Sequence, residues 1–588
     1  MKVKDIILVV FGFIFFTFNS VGLQVLIEEP EELSTILKYE LTEDNKSYKV
    51  VGIEKSLKGD IIIPETYNNL PVSEIDWSSL KSTTMKNIVI PKTVSYISNN
   101  ANTMNSYVMG IEIDELNPYY YSNNCNVIVE KSTDRLIITS PLSTIPSTTK
   151  IIGSYAFTSN HLNDKDELII PEGVRKIEPY AFFNCKGLKT ISIPNSVVEM
   201  GEESFSSCYK LTNIELNCDL TVIEKGVFSN CKALSRINIS STVEEIKESA
   251  FYNCTSLRHI EIPDSVQIIG KNVFNSSGLV EITLPEKIDV IYDGLFFECS
   301  NLSNVTLSDS TRIICESAFE GCTSLKEIHL PDTIEQIERN AFFMCGGLKR
   351  IEIPNKIKEI NIGVFSHCYS LEEVILPDTI TIIGDSAFVK CISLKEISLP
   401  DSVTKINRKA FSMCDRLENV ELSNNLTSIG AYAFEDCKKL ESISLPYGIT
   451  SIGNNAFSGC SSLSSITIPG SVTKLGKGTF SYCESLSEVN LSENISIIEG
   501  YTFFRCTSLE SIIIPEKIKS IEREAFSWCE SLKIIEIYSE KLSVYSTTFE
   551  DCDNIKTIIY HGNKSKWDEN VDFDDKKLLA RVELIFTE

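Results

Sequence analysis

Sixteen of the nineteen cysteines stand three residues after a phenylalanine, in a series that runs from Cys185 to Cys552. Thiols spaced so regularly can hold metal, form disulfides or fill space. Metal binding needs convergent Cys-x-x-Cys or Cys/His spacing, and the chain has none. Disulfides suit a secreted protein, and stacked coils would bring Cα atoms within bridging range. Sixteen equivalent thiols, however, offer no unique pairing. The third reading is a small buried hydrophobe that fills a turn. Spacing alone leaves these readings open, with Cys125, Cys218 and Cys315 outside the series.

Other chemistry is sparse. His161, His259, His329, His367 and His561 are scattered, and each reads as a lone solvent-facing side chain. The sequence has no phosphate-binding Gly-rich loop, no H-E-x-x-H, no G-x-S-x-G and no Asp-rich calcium loop. The expectation is no enzyme, no cofactor and no metal site.

The elements that carry the cysteines are one unit read many times. Leu325 to Cys345 reads LKEIHLPDTIEQIERNAFFMC, and Phe342 has equivalents every 23 residues. These run from Phe182 to Phe549, with a single 22-residue step between Phe274 and Phe296 and an earlier copy at Phe157. Such a fixed period signals a solenoid rather than several globular domains. Within the unit, I-x-[IL] alternates as a half-buried strand does. Pro331 ends it, because proline cannot donate to a ladder. Asp332-Thr333 is turn chemistry. Ile334 and Ile337 lie on one side of a tight return segment, and Ala341-Phe342 packs the far wall. One coil cannot bury these residues alone, but stacked neighbours can. The fold expected is a mostly β, curved, right-handed parallel repeat solenoid with atypical end caps.

The ends depart from the unit. Met1-Lys-Val-Lys4, an apolar run from Ile6 to Phe18 and small residues at Ser20 and Gly22 have the three-part layout of a secretory signal. The same run also reads as an uncleaved signal-anchor or as a buried N-terminal element. Residues 1–22 are therefore expected to be a signal. Residues 23–150 are expected to hold degenerate repeats, with a hairpin insertion at 117–141 and Trp77 in the place of a phenylalanine. Regular repeats follow over 151–555, and 556–588 forms a C-terminal cap, with 568–577 mostly polar and Val582 to Phe586 as a last strand.

The repeat resembles the BspA-like leucine-rich-repeat surface proteins. The elements that carry the resemblance are L-x-x-I-x-[IL]-P and the tail seen in Ser451-Ile-Gly-Asn-Asn-Ala-Phe-Ser-Gly-Cys460. It covers about residues 60–560 and implies a leucine-rich-repeat fold. It also implies the family's setting: secreted or surface-exposed proteins of mucosal bacteria and parasitic protists, implicated in adhesion to host proteins and other cells.

Binding chemistry has to come from outward-facing residues. In Glu327-Ile328-His329-Leu330, Ile328 and Leu330 point in, so positions 327 and 329 point out. Read across the coils, these two columns hold eleven glutamates against Arg236 and Arg350. The candidate partner-binding residues are Glu261, Glu281, Glu327, Glu352, Glu373, Glu396 and Glu421. The bland alternative is a solvated acidic face that resists aggregation. A net charge of −26 argues against a nucleic-acid partner and against docking on anionic lipid, so no nucleic-acid partner is expected. It suits protein partners with basic patches, and membrane contact is expected only through an uncleaved signal-anchor. The function expected is an extracellular or cell-surface scaffold that binds protein partners. The alternative is an intracellular protein–protein interaction scaffold.

Overall fold

In the computed structural model, which describes residues 37–53, 59–80, 85–98, 108–158 and 167–587, each regular coil has three sides. The first side is the expected I-x-[IL] strand. It pairs in parallel with its equivalent one coil on, as in Leu168 against Ile191 and Ile191 against Ile214. Along the molecule this face is divided into paired groups of two to four strands. The second side is a two-residue strand such as Gln336–Ile337, also in parallel one-coil register. The sequence suggests only a tight return there, yet from Glu359 to Leu475 these segments form a continuous six-stranded ladder. A two-residue strand leaves little alternation to detect, and pairing with the neighbouring rung creates it.

The third side consists of consecutive turns around Ala341-Phe342, both fully buried. Its backbone groups are met across coils: Phe342 N donates to Val364 O at 3.0 Å and Phe365 N to Ala387 O at 2.9 Å. The coil turns sharply on two left-handed residues, two before and two after the phenylalanine. Asn340, Gly363, Ser386 and Lys409 occupy the first position, with φ between 56° and 64°. L-residues pay for this conformation, and the cross-coil hydrogen bonds hold it. At Gly363 a Cβ would sit 2.3 Å from Asn340 Oδ1, so an asparagine in one rung fixes the glycine of the next.

Inside, the phenylalanines form one continuous stack. It runs from Phe157 to Phe549 and on to Phe573, and the two ends show ring centroids 4.6 and 6.1 Å apart. Offset-stacked aromatic pairs at this separation add to their area burial.

The caps differ from the repeats in kind. At the N-terminal end, Leu37–Leu41 pairs antiparallel with Tyr48–Ile53. Parallel ladders follow over Leu70–Asp76 and Tyr96–Ser98, and over Gly59–Ile62, Met85–Ile90 and Gly110–Ile113. Trp77 is buried there in a short 3-10 turn, within a core separate from the phenylalanine stack. The insertion is a three-stranded antiparallel meander over Tyr120–Tyr121, Val127–Glu130 and Arg135–Thr139. Val127, Val129 and Leu136 face the main core, while Ile128, Ile137 and Ile138 face the N-terminal one. The hairpin is thus a septum buried on both faces. At the other end, the polar stretch contains structure that its composition hides. The helix α1, Lys564–Asn570, is capped by the Asn563 side chain, and Val571–Phe573 pairs with Leu542–Val544. Only Phe573 of that strand is fully buried, so a single apolar residue is its whole inward signal. The secretory-signal reading of 1–22 lies outside the described residues.

Candidate functional site

The strand alternation places the two outward columns on solvent. All seven candidate glutamates are exposed: Glu281, Glu373 and Glu396 open first-face strands, Glu352 and Glu421 close them, and Glu261 and Glu327 stand at the equivalent positions of coils whose first side is extended but not paired as a strand. They are not equivalent. The Arg350 guanidinium bonds Glu373 at 2.9 Å and lies 3.4 Å from Glu352. His259 Nδ1 lies 3.3 Å from Glu281 Oε1. The Ser398 hydroxyl donates to Glu421 at 2.8 Å. Among the described residues, Glu261, Glu327 and Glu396 make no such contact and present bare carboxylates. Shallow depressions lie along this face. One, of about 550 Å³, is lined by Glu327, His329, Arg350, Glu352 and Ile375. Another, of about 460 Å³, is lined by Glu261, Glu281 and Asn304. The face also carries exposed apolar side chains, among them Ile169, Ile375, Ile513 and Ile534. Counting acids in the sequence overstates its uniformity, because partners one rung away neutralise some of them.

The cysteine series resolves into buried thiols that form no disulfide. In fifteen coils the thiol donates to the carbonyl of the preceding coil's phenylalanine, as Cys345 does to Phe319 O at 3.1 Å. That carbonyl also accepts the backbone N–H of its own coil's cysteine. The residue type therefore answers two needs: small volume, and a weak donor aimed at a carbonyl with a spare lone pair. Burial pushes Cys254 and Cys414 up to about 12, far from the reactive thiolate. In the shortened coil Ser277 takes the cysteine's place and meets Cys299 Sγ at 3.3 Å.

Two histidines depart from the expected solvent-facing state. His561 stacks on Tyr538 with centroids 3.8 Å apart, and its nitrogens meet Glu536 at 2.6 Å and Thr587 at 3.0 Å. Glu536 is held below its ordinary value by His561 and Tyr538. His367 packs beside Phe343 and Tyr369, and burial, with Lys390 nearby, lowers its pKa. The sequence does not show these settings, because the partners of His561 and the Phe343 ring beside His367 sit one coil away. Among the described residues, Asp293, Cys315 and Glu338 bring ligand-type atoms within 4.8 Å of one another. Lys271 sits on Asp293, and the Glu316 N–H donates to Glu338 at 3.0 Å, so protein groups already answer both carboxylates.

A further feature was legible in register but passed over. Tyr482, Arg505 and Trp528 share one repeat position, two residues after the phenylalanine, on three successive coils. Their side chains form a stacked cluster on the turn side.

Residues 139–580 match the BspA type leucine rich repeat region in six overlapping copies: 139–258, 244–372, 291–418, 358–484, 404–518 and 450–580. No curated protein matches the chain. Among solved structures, it is similar to a leucine-rich repeat protein from Bacteroides ovatus, at 24% identity over 77% of this chain and 92% of that one, with a TM-score of 0.32. A leucine rich cell surface protein from Faecalibacterium prausnitzii gives 20% identity over 91% and 95%, with a TM-score of 0.25. The pneumococcal vaccine antigen PcpA gives 16% identity over 94% and 97%, also at 0.25.

Proposed function

Because the chain belongs to the BspA-type leucine-rich-repeat family, we propose that it is an exported, surface-exposed scaffold that binds a basic protein partner on the outward columns of its first strand face. The observation that carries this reading is the set of bare carboxylates, Glu261, Glu327 and Glu396, held on one face of the stacked coils, with Glu261 and Glu327 lining shallow depressions. The scaffold spends its inward residues on folding and holds these side chains at fixed spacing. Preorganisation of this kind reduces the entropy lost on binding, and a one-sign surface speeds encounter with an opposite charge.

Poly-L-lysine is the direct probe. Its association rate should fall as salt rises, since exposed charges are screened over about 8 Å at physiological ionic strength. Changing Glu261, Glu327, Glu396 and Glu421 together to Gln should slow association and flatten that salt slope. Unchanged rates would move the site elsewhere, with the 117–141 insertion next to test.

One observation favours a second reading, an intracellular interaction scaffold: among the described residues no cysteine is joined in a disulfide, as in a reducing compartment. N-terminal sequencing of the native protein separates the two. A mature chain beginning at Leu23 supports export, and an intact Met1 in a cytosolic fraction contradicts it.

A further inference from the structure

The turn side of the C-terminal half carries a pattern that the strand face lacks. All seven cation–aromatic contacts among the described residues fall between Arg408 and Tyr545. At their centre the Arg505 guanidinium lies 5.8 Å from the Tyr482 ring, 5.8 Å from Phe504 and 4.9 Å from Trp528. Lys477 Nζ covers Tyr501 at 4.6 Å on the same side. Arg505 is exposed, and among the described residues no carboxylate pairs with its guanidinium. Trp528 is 38% exposed and Tyr482 46%. The contacts of Arg505 with the rings hold the cluster together, but no ion pair among the described residues answers its charge, and Tyr482 and Trp528 keep part of their surface in water. Large rings left in water on a rigid frame and an unpaired fork of N–H donors are binding chemistry.

The spacing selects the ligand. Tyr482, Arg505 and Trp528 repeat once per rung, about 4.8 Å apart along the solenoid axis. An extended peptide advances about 3.3 Å per residue, so it falls out of step with the rungs after one residue. A β-1,4-linked pyranose chain advances by about one rung per sugar and presents apolar C–H faces that stack on rings. The charge selects further. A chain of net charge −26 repels polyanions at large, so a carboxylate would be held only where it meets an unpaired guanidinium while its ring stacks beside it.

We propose that the turn-side strip Tyr482–Arg505–Trp528 is a stacking platform for a linear uronic-acid polysaccharide, with the uronate carboxylate on Arg505 and its neighbouring sugar rings on Tyr482 and Trp528. This surface is on a different side of the coil from the glutamate columns and does not depend on them.

The test uses the full chain and three matched probes: a β-1,4-mannuronate hexasaccharide, neutral mannohexaose and hexaglutamate. Trp77 and Trp567 are buried, so a ligand-induced change in tryptophan emission reports Trp528, and calorimetry gives the affinity. The variants come from the repeat itself. Serine already occupies the Trp528 position at Ser207 and Ser276, and asparagine occupies the Arg505 position at Asn184 and Asn230, all with the same left-handed backbone. Trp528→Ser and Arg505→Asn should therefore fold as the parent does. The mannuronate should bind, and each variant should weaken it at least tenfold. Mannohexaose should bind at least tenfold more weakly than mannuronate, and Glu327→Gln should change nothing. Three results would overturn the proposal: no mannuronate binding, binding untouched by both variants, or hexaglutamate binding equal to mannuronate, which would mean a mere anion patch.

Discussion

At the residue scale the repeat's most suggestive chemistry turns out to be packing. Fifteen series cysteines offer their S–H to a carbonyl one coil back, as Cys345 does, and burial raises the thiol pKa of Cys254 and Cys414 out of reach of neutral-pH chemistry. Alkylation of the native protein should therefore modify only the half-buried Cys125 and Cys315, with Cys315 slowed because burial and the nearby Glu338 and Asp293 push it up to about 11. Unfolding should release all nineteen. Peptide mapping checks this, and rapid native labelling of Cys345 or Cys414 would contradict it. Cys345→Ala should cost about 1–2 kcal/mol in a melt, since it removes one weak hydrogen bond and the volume of one sulfur. The position of the thiol was plain from the sequence. Its partner was not, because the bond joins residues 26 apart that only the stacked coils bring together.

Elements show where sequence reading succeeds and where it stops. The I-x-[IL] strand was legible because three residues of strict alternation repeat many times. The second ladder was not, because two residues carry no alternation. The hairpin was visible as a pair of strands, but not as a septum, since each of its faces meets a different core. A clamp ties that septum to the regular coils: Arg135 donates to Glu178 at 3.0 and 2.7 Å, and Ser154 N donates to the same carboxylate at 2.8 Å. Burial works to raise the Glu178 pKa, but the Arg135 guanidinium and the Ser154 groups outweigh it and hold the carboxyl below its ordinary value. A lowered folded pKa stabilises the fold above the unfolded value of about 4.3, and that contribution disappears as pH falls through the folded value. Glu178→Gln should cost about 1.5–3 kcal/mol at neutral pH. Denaturant melts at pH 7 and pH 3 check it: the gap between variant and parent should narrow in acid, and a gap unchanged at pH 3 would mean the clamp is not ionic.

The whole molecule is a one-dimensional stack, and each coil touches little beyond its neighbours. Phe342 stacks on Phe319 and Phe365 at 5.2 and 5.7 Å. Phe342→Ala should cost about 3–5 kcal/mol, with hydrogen exchange rising first in those adjoining coils and later, if at all, near Phe182 and Phe526. Inward positions thus build the fold, and outward ones are free to differ from rung to rung, which is why the glutamate columns and the aromatic strip can occupy different sides of the same coils. The most direct measurement is thermal unfolding after removing residues 326–394, three whole 23-residue periods that join Leu325 to Lys395 in phase. A control deletion of 326–383 removes a similar length out of phase. If rungs are interchangeable in folding, the in-phase chain keeps a β-sheet circular dichroism spectrum and a cooperative transition close to the parent's, while the control loses both. An in-phase chain that fails to fold, or a control that folds as well, would contradict this.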